Sequence, residues 1–137
     1  MKIYFAGSIR GGRDDREIYS KIINLLNNYG EILTEHLGDS KILASGEKKE
    51  AKEIYERDLE LLKSADVIVA EVTTPSLGVG YELGIAQSFK KKILCLYRPI
   101  PQKFLSAMIA GNELFKVEEY SKTEDLTSIF NKFFNKY

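Results

Sequence analysis

The sequence predicts an α/β fold: a doubly wound, five-stranded parallel sheet with helices on both faces. Three observations predict it. Short apolar runs alternate with longer amphipathic stretches along the whole chain. The runs are nearly continuous in apolar residues, as strands are when both of their faces are covered. The β-α-β-α order asks for parallel strands joined by right-handed helical crossovers.

The elements follow in order. Ile3 to Ala6 is a β-branched and aromatic run that ends at Gly7. Ile18, Ile22, Ile23, Leu25 and Leu26 then form one apolar stripe, stopped by Asn27-Asn28-Tyr29-Gly30, a C-terminal cap signal. Ile32 to Leu37 is a weaker second strand. Gly38 to Lys49 carries Gly, Ser, Lys and Glu and reads as a surface loop or a lid. A helix is expected from about Glu47 to Ala65. The clearest strand is Val67 to Val72, followed by a helix over Gly80 to Lys90 and a strand over Ile93 to Tyr97. Phe104 to Ile109 reads as a short helix and Leu114 to Tyr120 as a fifth strand. Thr123-Glu124-Asp125-Leu126 opens the last helix, with Leu126, Ile129, Phe130, Phe133 and Phe134 on one face. This arrangement is Rossmann- or flavodoxin-like.

Size and composition narrow the function classes. The 137 residues suit a single domain over 1–137 that buries roughly two-thirds of its extended surface without disulfides. Twenty basic and twenty acidic residues cancel, which argues against a broad surface for a nucleic acid polymer. One cysteine, Cys95, excludes an internal disulfide and any multi-thiolate metal site, and reads as an inert core residue. One histidine, His36, excludes a His-rich metal site, whereas a carboxylate-only site stays open. No apolar run reaches the ~18 residues of a membrane span, and the start is broken too soon for a signal peptide. A cytoplasmic protein is expected.

In such sheets ligands bind beyond the carboxyl ends of the strands, at the switch in strand order. Two segments there resemble phosphate cradles. Gly7-Ser8-Ile9-Arg10-Gly11-Gly12-Arg13 follows the first strand, and Thr73-Thr74-Pro75-Ser76-Leu77-Gly78-Val79-Gly80 follows the third. Both offer glycine, hydroxyls and free N–H groups leading into a helix, although tight βα turns need glycine too. Arg10 could add a bidentate contact. Neither segment is a P-loop or a GxGxxG fingerprint.

Two carboxylates are out of place. Asp58 falls on the helix face shared by Ala51, Ile54, Tyr55, Leu61, Leu62 and Ala65. It either pairs with a buried arginine or caps a turn, or it points into a cleft, where burial would raise its pKa. Glu82 lies in Gly78-Val79-Gly80-Tyr81-Glu82-Leu83-Gly84, near a helix start. The helix dipole explains it blandly, and the same dipole is expected to keep it ionised at neutral pH. An ionised carboxylate beside a phosphate site is placed to attack an electron-poor carbon. Tyr4 is a core aromatic or a site residue, and His36 ends the second run on the ligand side. Asp66 reads as a turn residue.

Taken together, Tyr4 to Arg13, Thr34-Glu35-His36, Arg57-Asp58-Leu59, Ala65-Asp66, Ala70 to Thr73, Pro75 to Gly84 and Leu105 to Ile109 resemble the 2′-deoxynucleoside 5′-phosphate N-hydrolases of the nucleoside 2-deoxyribosyltransferase superfamily. The resemblance runs in order through most of the chain. It implies a hydrolase that releases the base and 2-deoxyribose 5-phosphate from deoxynucleoside monophosphates. By resemblance, Glu82 is the nucleophile, Asp58 holds the sugar hydroxyl and protonates the leaving base, and Tyr4 orients the nucleophile. Gly7, Ser8, Ile9, Arg10, Gly12, Ser76 and Gly78 match the phosphate site, and His36 lines the pocket. Ser106 matches a serine that reaches the phosphate of the neighbouring subunit, which implies a homodimer. No cofactor and no metal are implied. The chain departs from familiar members at Leu61, where Trp is common, and at Ala110, where Arg often follows. Two other readings remain: a deoxyribosyltransferase that exchanges bases, and a nucleotide-binding module without turnover.

Overall fold

The computed structural model describes residues 1–9, 13–34 and 48–135. Strand β1 (Lys2–Ala6) leads to helix α1 (Arg13–Leu26) and the short strand β2 (Glu31–Ile32). Then come α2 (Ala51–Ser64), β3 (Val67–Glu71), α3 (Leu77–Ser88) and β4 (Lys92–Tyr97). The chain ends in α4 (Ala107–Ala110), β5 (Phe115–Glu119), a 3-10 turn (Thr123–Asp125) and α5 (Leu126–Phe134). The described strands pair in parallel in the order β2-β1-β3-β4-β5. The order therefore reverses between β1 and β3, which makes their carboxyl ends the expected crevice.

Alternate strand residues serve opposite faces. Ile3, Phe5, Val67, Val69, Leu94 and Leu96 pack with α1 and α5 through Tyr19, Ile22, Leu26, Leu126 and Phe130. Tyr4, Ala6, Ile68, Ala70, Ile93 and Cys95 pack with α2, α3 and α4 through Leu62, Val79, Leu83, Ala86 and Ile109. β3 is buried along its whole length, as its unbroken apolar run requires.

Several boundaries differ from expectation, each for a local reason. The second strand stops at Ile32 because Thr34 pairs with β1 through its side chain: Oγ1 accepts from the Phe5 N–H at 2.8 Å and donates to the Phe5 carbonyl at 2.6 Å. The rest of that expected strand, and most of the Gly38 to Lys49 segment, lies outside the described residues. Helix α3 starts at Leu77, not Gly80, because Ser76 Oγ accepts the Val79 N–H and caps it. Helix α4 is confined to four residues after Ser106, whose Oγ accepts the Met108 N–H. On α2 only the last turns reach the core: Leu62 and Ala65 are buried, whereas Ala51 and Tyr55 are exposed. Asp66 accepts the Lys2 N–H at 2.7 Å, so the turn carboxylate pins the entry to β1.

Gly30 shows why the first helix ends where it does. A Cβ there would lie 2.4 Å from the Met1 carbonyl oxygen, which accepts the Glu31 N–H that starts β2. Gly30→Ala is expected to cost about 1–3 kcal/mol, measured as a lower urea midpoint at unchanged slope. A variant as stable as wild type would show that the turn relaxes freely.

Candidate active site

A pair of carboxyl groups from α2 and α3 meets beside β1. Tyr4 comes from β1, Asp58 from the middle of α2 and Glu82 from the second turn of α3. The Tyr4 hydroxyl, on a side chain only 2% exposed, donates to the Glu82 carboxylate. Asp58 stands close enough that its charge raises both neighbours. Three residues that are distant in sequence are therefore brought within interaction distance of one another.

Their ionisation differs from the expectation. Burial, then the Asp58 charge, push the Glu82 carboxyl up to about 8, against a smaller lowering by the Tyr4 hydrogen bond. The dipole does not hold Glu82 ionised because it fades after the first turn, and the cap at Ser76 puts Glu82 beyond that turn. Asp58 is not an isolated charge. Its Oδ1 accepts from Arg57 Nε and Nη2, each at 2.8 Å. The pairing with an arginine is thus present, and the same carboxylate also acts on Glu82. Arg57 also lowers the Tyr4 hydroxyl, whose pKa burial and the two carboxylates drive up. Sequence reading gave Arg57 no role; its only signal was adjacency to an aspartate on a half-buried face.

The loop residues are placed as follows. Gly7 has no room for a side chain: a Cβ would lie 2.8 Å from the Tyr19 ring. Ser8 is 3% exposed, and its N–H donates to the Tyr19 hydroxyl at 3.0 Å. That amide is therefore already used, and what remains of Ser8 for a ligand is its hydroxyl. Ile9 is half-buried at the end of the described segment. Arg10, Gly12 and His36 lie outside the described residues. Ser76 is half-buried at the start of α3, and Gly78 is exposed one turn above Glu82. The Ser76 and Ser106 hydroxyls both accept a backbone N–H, which leaves each an O–H to donate.

Ser106 does not join the carboxyl groups. It lines a separate cavity of about 550 Å³ between α3 and α4, with Ser76, Gly80, Gly84, Phe104 and Ile109. Gly80 and Gly84 lie about 200° around α3 from Glu82, at 100° per residue. The helix thus turns its carboxylate toward α2 and its glycines toward α4. The cavity is rimmed by Leu77, Phe104 and Met108, which are 96%, 82% and 81% exposed. Among the described residues no helix is long and apolar enough to cross a membrane.

Comparison with known proteins gives the family and the fold. Residues 3–131 match the family described as nucleoside 2-deoxyribosyltransferase. A 5-hydroxymethyl-dUMP N-hydrolase of Esox lucius is 51% identical, over 98% of this chain and 96% of its own. The enzyme of that name from Homo sapiens is 48% identical, over 96% of this chain and 78% of its own. The Clostridium botulinum CMP N-glycosidase BcmB superposes with a TM-score of 0.67 at 15% identity, covering 97% of this chain and 99% of its own. A Bacillus psychrosaccharolyticus 2-deoxyribosyltransferase gives 0.66 at 20%, covering 93% and 90%, and these two structures share the fold. The chain belongs to the nucleoside 2-deoxyribosyltransferase family.

Proposed function

We propose that this protein hydrolyses the N-glycosidic bond of 2′-deoxynucleoside 5′-monophosphates, releasing the base and 2-deoxyribose 5-phosphate. The observation that carries the reading is the Tyr4–Glu82 hydrogen bond with Asp58 beside it, under two loops rich in hydroxyls. Cleavage passes through an oxocarbenium-like state that a carboxylate both stabilises and captures. Glu82 passes the proton the pair holds to Asp58 and bonds to C1′ as the C1′–N bond breaks, and the base leaves with that proton. Water then attacks C1′, giving its proton to Asp58 and freeing Glu82. The 5′-phosphate, held by Ser8, Arg10 and Ser76 beside Gly7, Ile9, Gly12 and Gly78, supplies remote binding energy that aligns C1′.

The test is a substrate panel: 5-hydroxymethyl-dUMP, the four deoxynucleoside monophosphates and their ribo forms, followed by chromatography for free base. Base release from at least one deoxy form is expected, and its absence from all overturns the reading. Adding a second free base tests exchange: exchanged nucleotide forming faster than sugar phosphate would identify a transferase instead.

A homodimer completes the same reading. Ser106 faces away from Glu82, and the exposed apolar rim of Leu77, Phe104 and Met108 needs a cover. A Cβ on Gly80 or Gly84 would meet nothing within 4 Å, so neither glycine is needed inside this chain, although each costs about 1 kcal/mol in a helix. A second copy seated there would bring its Ser106 to this phosphate. Mixing Ser106→Ala with Glu82→Gln protein is then expected to restore activity, since one site per mixed dimer regains both residues. Activity no greater than the sum of the separate variants would refute the shared site. A cytoplasmic location goes with a nucleotide substrate and the single buried thiol of Cys95.

A further inference from the structure

Beneath the two phosphate loops lies a polar cluster that the proposed chemistry does not use. Asp15, in the first turn of α1, is 6% exposed and has both carboxylate oxygens occupied. Oδ1 accepts from Arg98 Nη2 at 2.9 Å, and Oδ2 accepts from Thr74 Oγ1 at 2.7 Å. Arg98 follows β4, and its backbone N–H donates to Thr73 Oγ1 at 2.9 Å. Thr73 in turn donates from its N–H and its hydroxyl to the buried Glu71 carboxylate. Burial pushes the Glu71 carboxyl up, while Thr73 and Arg98 pull it back.

Four residues further along α1 stands Tyr19, which accepts the Ser8 N–H and fills the space under Gly7. Residues four apart lie on one face of a helix. One face of α1 therefore holds both loops: Tyr19 grips the segment after β1, and Asp15 grips the segment after β3. Arg98 ties that second grip to the end of β4. A buried ion pair of this kind is a poor source of net stability, because desolvation offsets most of its attraction. It is better suited to fixing geometry, since charge-assisted hydrogen bonds on both oxygens leave the carboxylate one orientation.

We propose that Asp15 is a positioning residue for the 5′-phosphate site, setting the spacing between residues 7–9 and residues 73–76 through Thr74 and Arg98. The inference rests on the phosphate reading of those loops given above. Asp15 touches no reacting atom. It acts on how tightly the phosphate is held, so its effect falls on KM and on product affinity more than on the saturated rate.

The experiment compares wild type, Asp15→Ala, Asp15→Asn and Thr74→Val. Steady-state kinetics use the best monophosphate of the panel, and calorimetry measures 2-deoxyribose 5-phosphate binding. Asp15→Ala is expected to raise KM and the product Kd roughly 10- to 100-fold, the worth of hydrogen bonds to a charge. Its kcat falls by a smaller factor than KM rises, since the reacting groups themselves are untouched. Asp15→Asn recovers part of the loss, because the amide oxygen still accepts from Thr74. Thr74→Val keeps the shape, removes one bond, and guards against an Asp15→Ala chain that does not fold. A lower melting temperature with unchanged KM and Kd in the folded variants overturns the proposal, as does an equal fall in kcat. If wild type binds the sugar phosphate without releasing base, the enzymatic reading fails alone, and the Kd comparison still decides the role of Asp15. If wild type does not bind the sugar phosphate, the phosphate site and this inference fall together.

Discussion

Glu82→Gln is expected to lower base release by roughly 10³-fold or more, with the substrate still bound. The amide fills the same volume and can still accept from Tyr4, so the fold and the phosphate site survive. What it lacks is the electron pair that captures C1′. Calorimetric binding of a monophosphate, together with chromatographic turnover, separates the two effects. A variant turning over at a tenth of the wild-type rate or faster would remove Glu82 from the chemistry.

The same carboxyl makes the reaction pH-dependent in a stated direction. The nucleophile works when deprotonated, and in the free protein it loses its proton at about 8. Above that value the pair no longer holds the proton that Asp58 gives the leaving base, so kcat/KM is expected to fall as pH rises past about 8. Tyr4→Phe removes the hydrogen bond that lowers the Glu82 pKa, so the fall should move to higher pH. Stability has its own window. Between the ordinary 4.5 of a glutamate and about 8, the folded state holds a proton that the unfolded chain has released. Unfolding thus becomes easier as pH rises through that window. Glu82→Gln escapes this cost, and it should gain stability over wild type as pH rises toward 9. A variant less stable than wild type at pH 9 would show that the site holds the charge comfortably.

Arg98→Ala has the largest expected effect on stability, about 3–5 kcal/mol, because it strands the Asp15 carboxylate in the interior. For a chain of 137 residues that corresponds to a fall in Tm of roughly 10–20 °C. The Arg98 and Asp15 side chains are only 14% and 9% exposed, so water cannot replace the guanidinium without local opening. The control is Asp15→Asn combined with Arg98→Met. With the Asp15 charge removed as well, the double variant should be more stable than Arg98→Ala alone. If Arg98→Ala stays within 1 kcal/mol of wild type, the pair is solvated and weak.

The two candidate phosphate loops differ in what their residues disclose. Gly7 belongs to the cradle composition of the first, yet its lack of a side chain is explained by the Tyr19 ring packed against it. Ser76 was read as a phosphate donor, and it also caps α3, which moved the start of that helix three residues earlier than its apolar pattern suggested. The glycines at 78, 80 and 84 had blurred that pattern. Asp58 and Glu82 were legible because a carboxylate among apolar helix positions needs a reason, and the family resemblance named one. Asp15 was not legible: an acid in the first turn of a helix reads as a dipole complement, and its partner Arg98 is 83 residues away.

The order of strands and helices and the buried character of β1, β3 and β4 could be read from residue order alone, and the family resemblance named Tyr4, Asp58 and Glu82 as one group. Apolar runs and helical spacing are local properties, and a carboxylate breaks such a pattern visibly. The protonation of Glu82, the pairing of Asp58 with Arg57, and the grip of Asp15 and Tyr19 on the two loops were decided only by the tertiary structure. Each depends on how much water is removed and on which distant charge arrives, and both quantities exist only once the chain has packed.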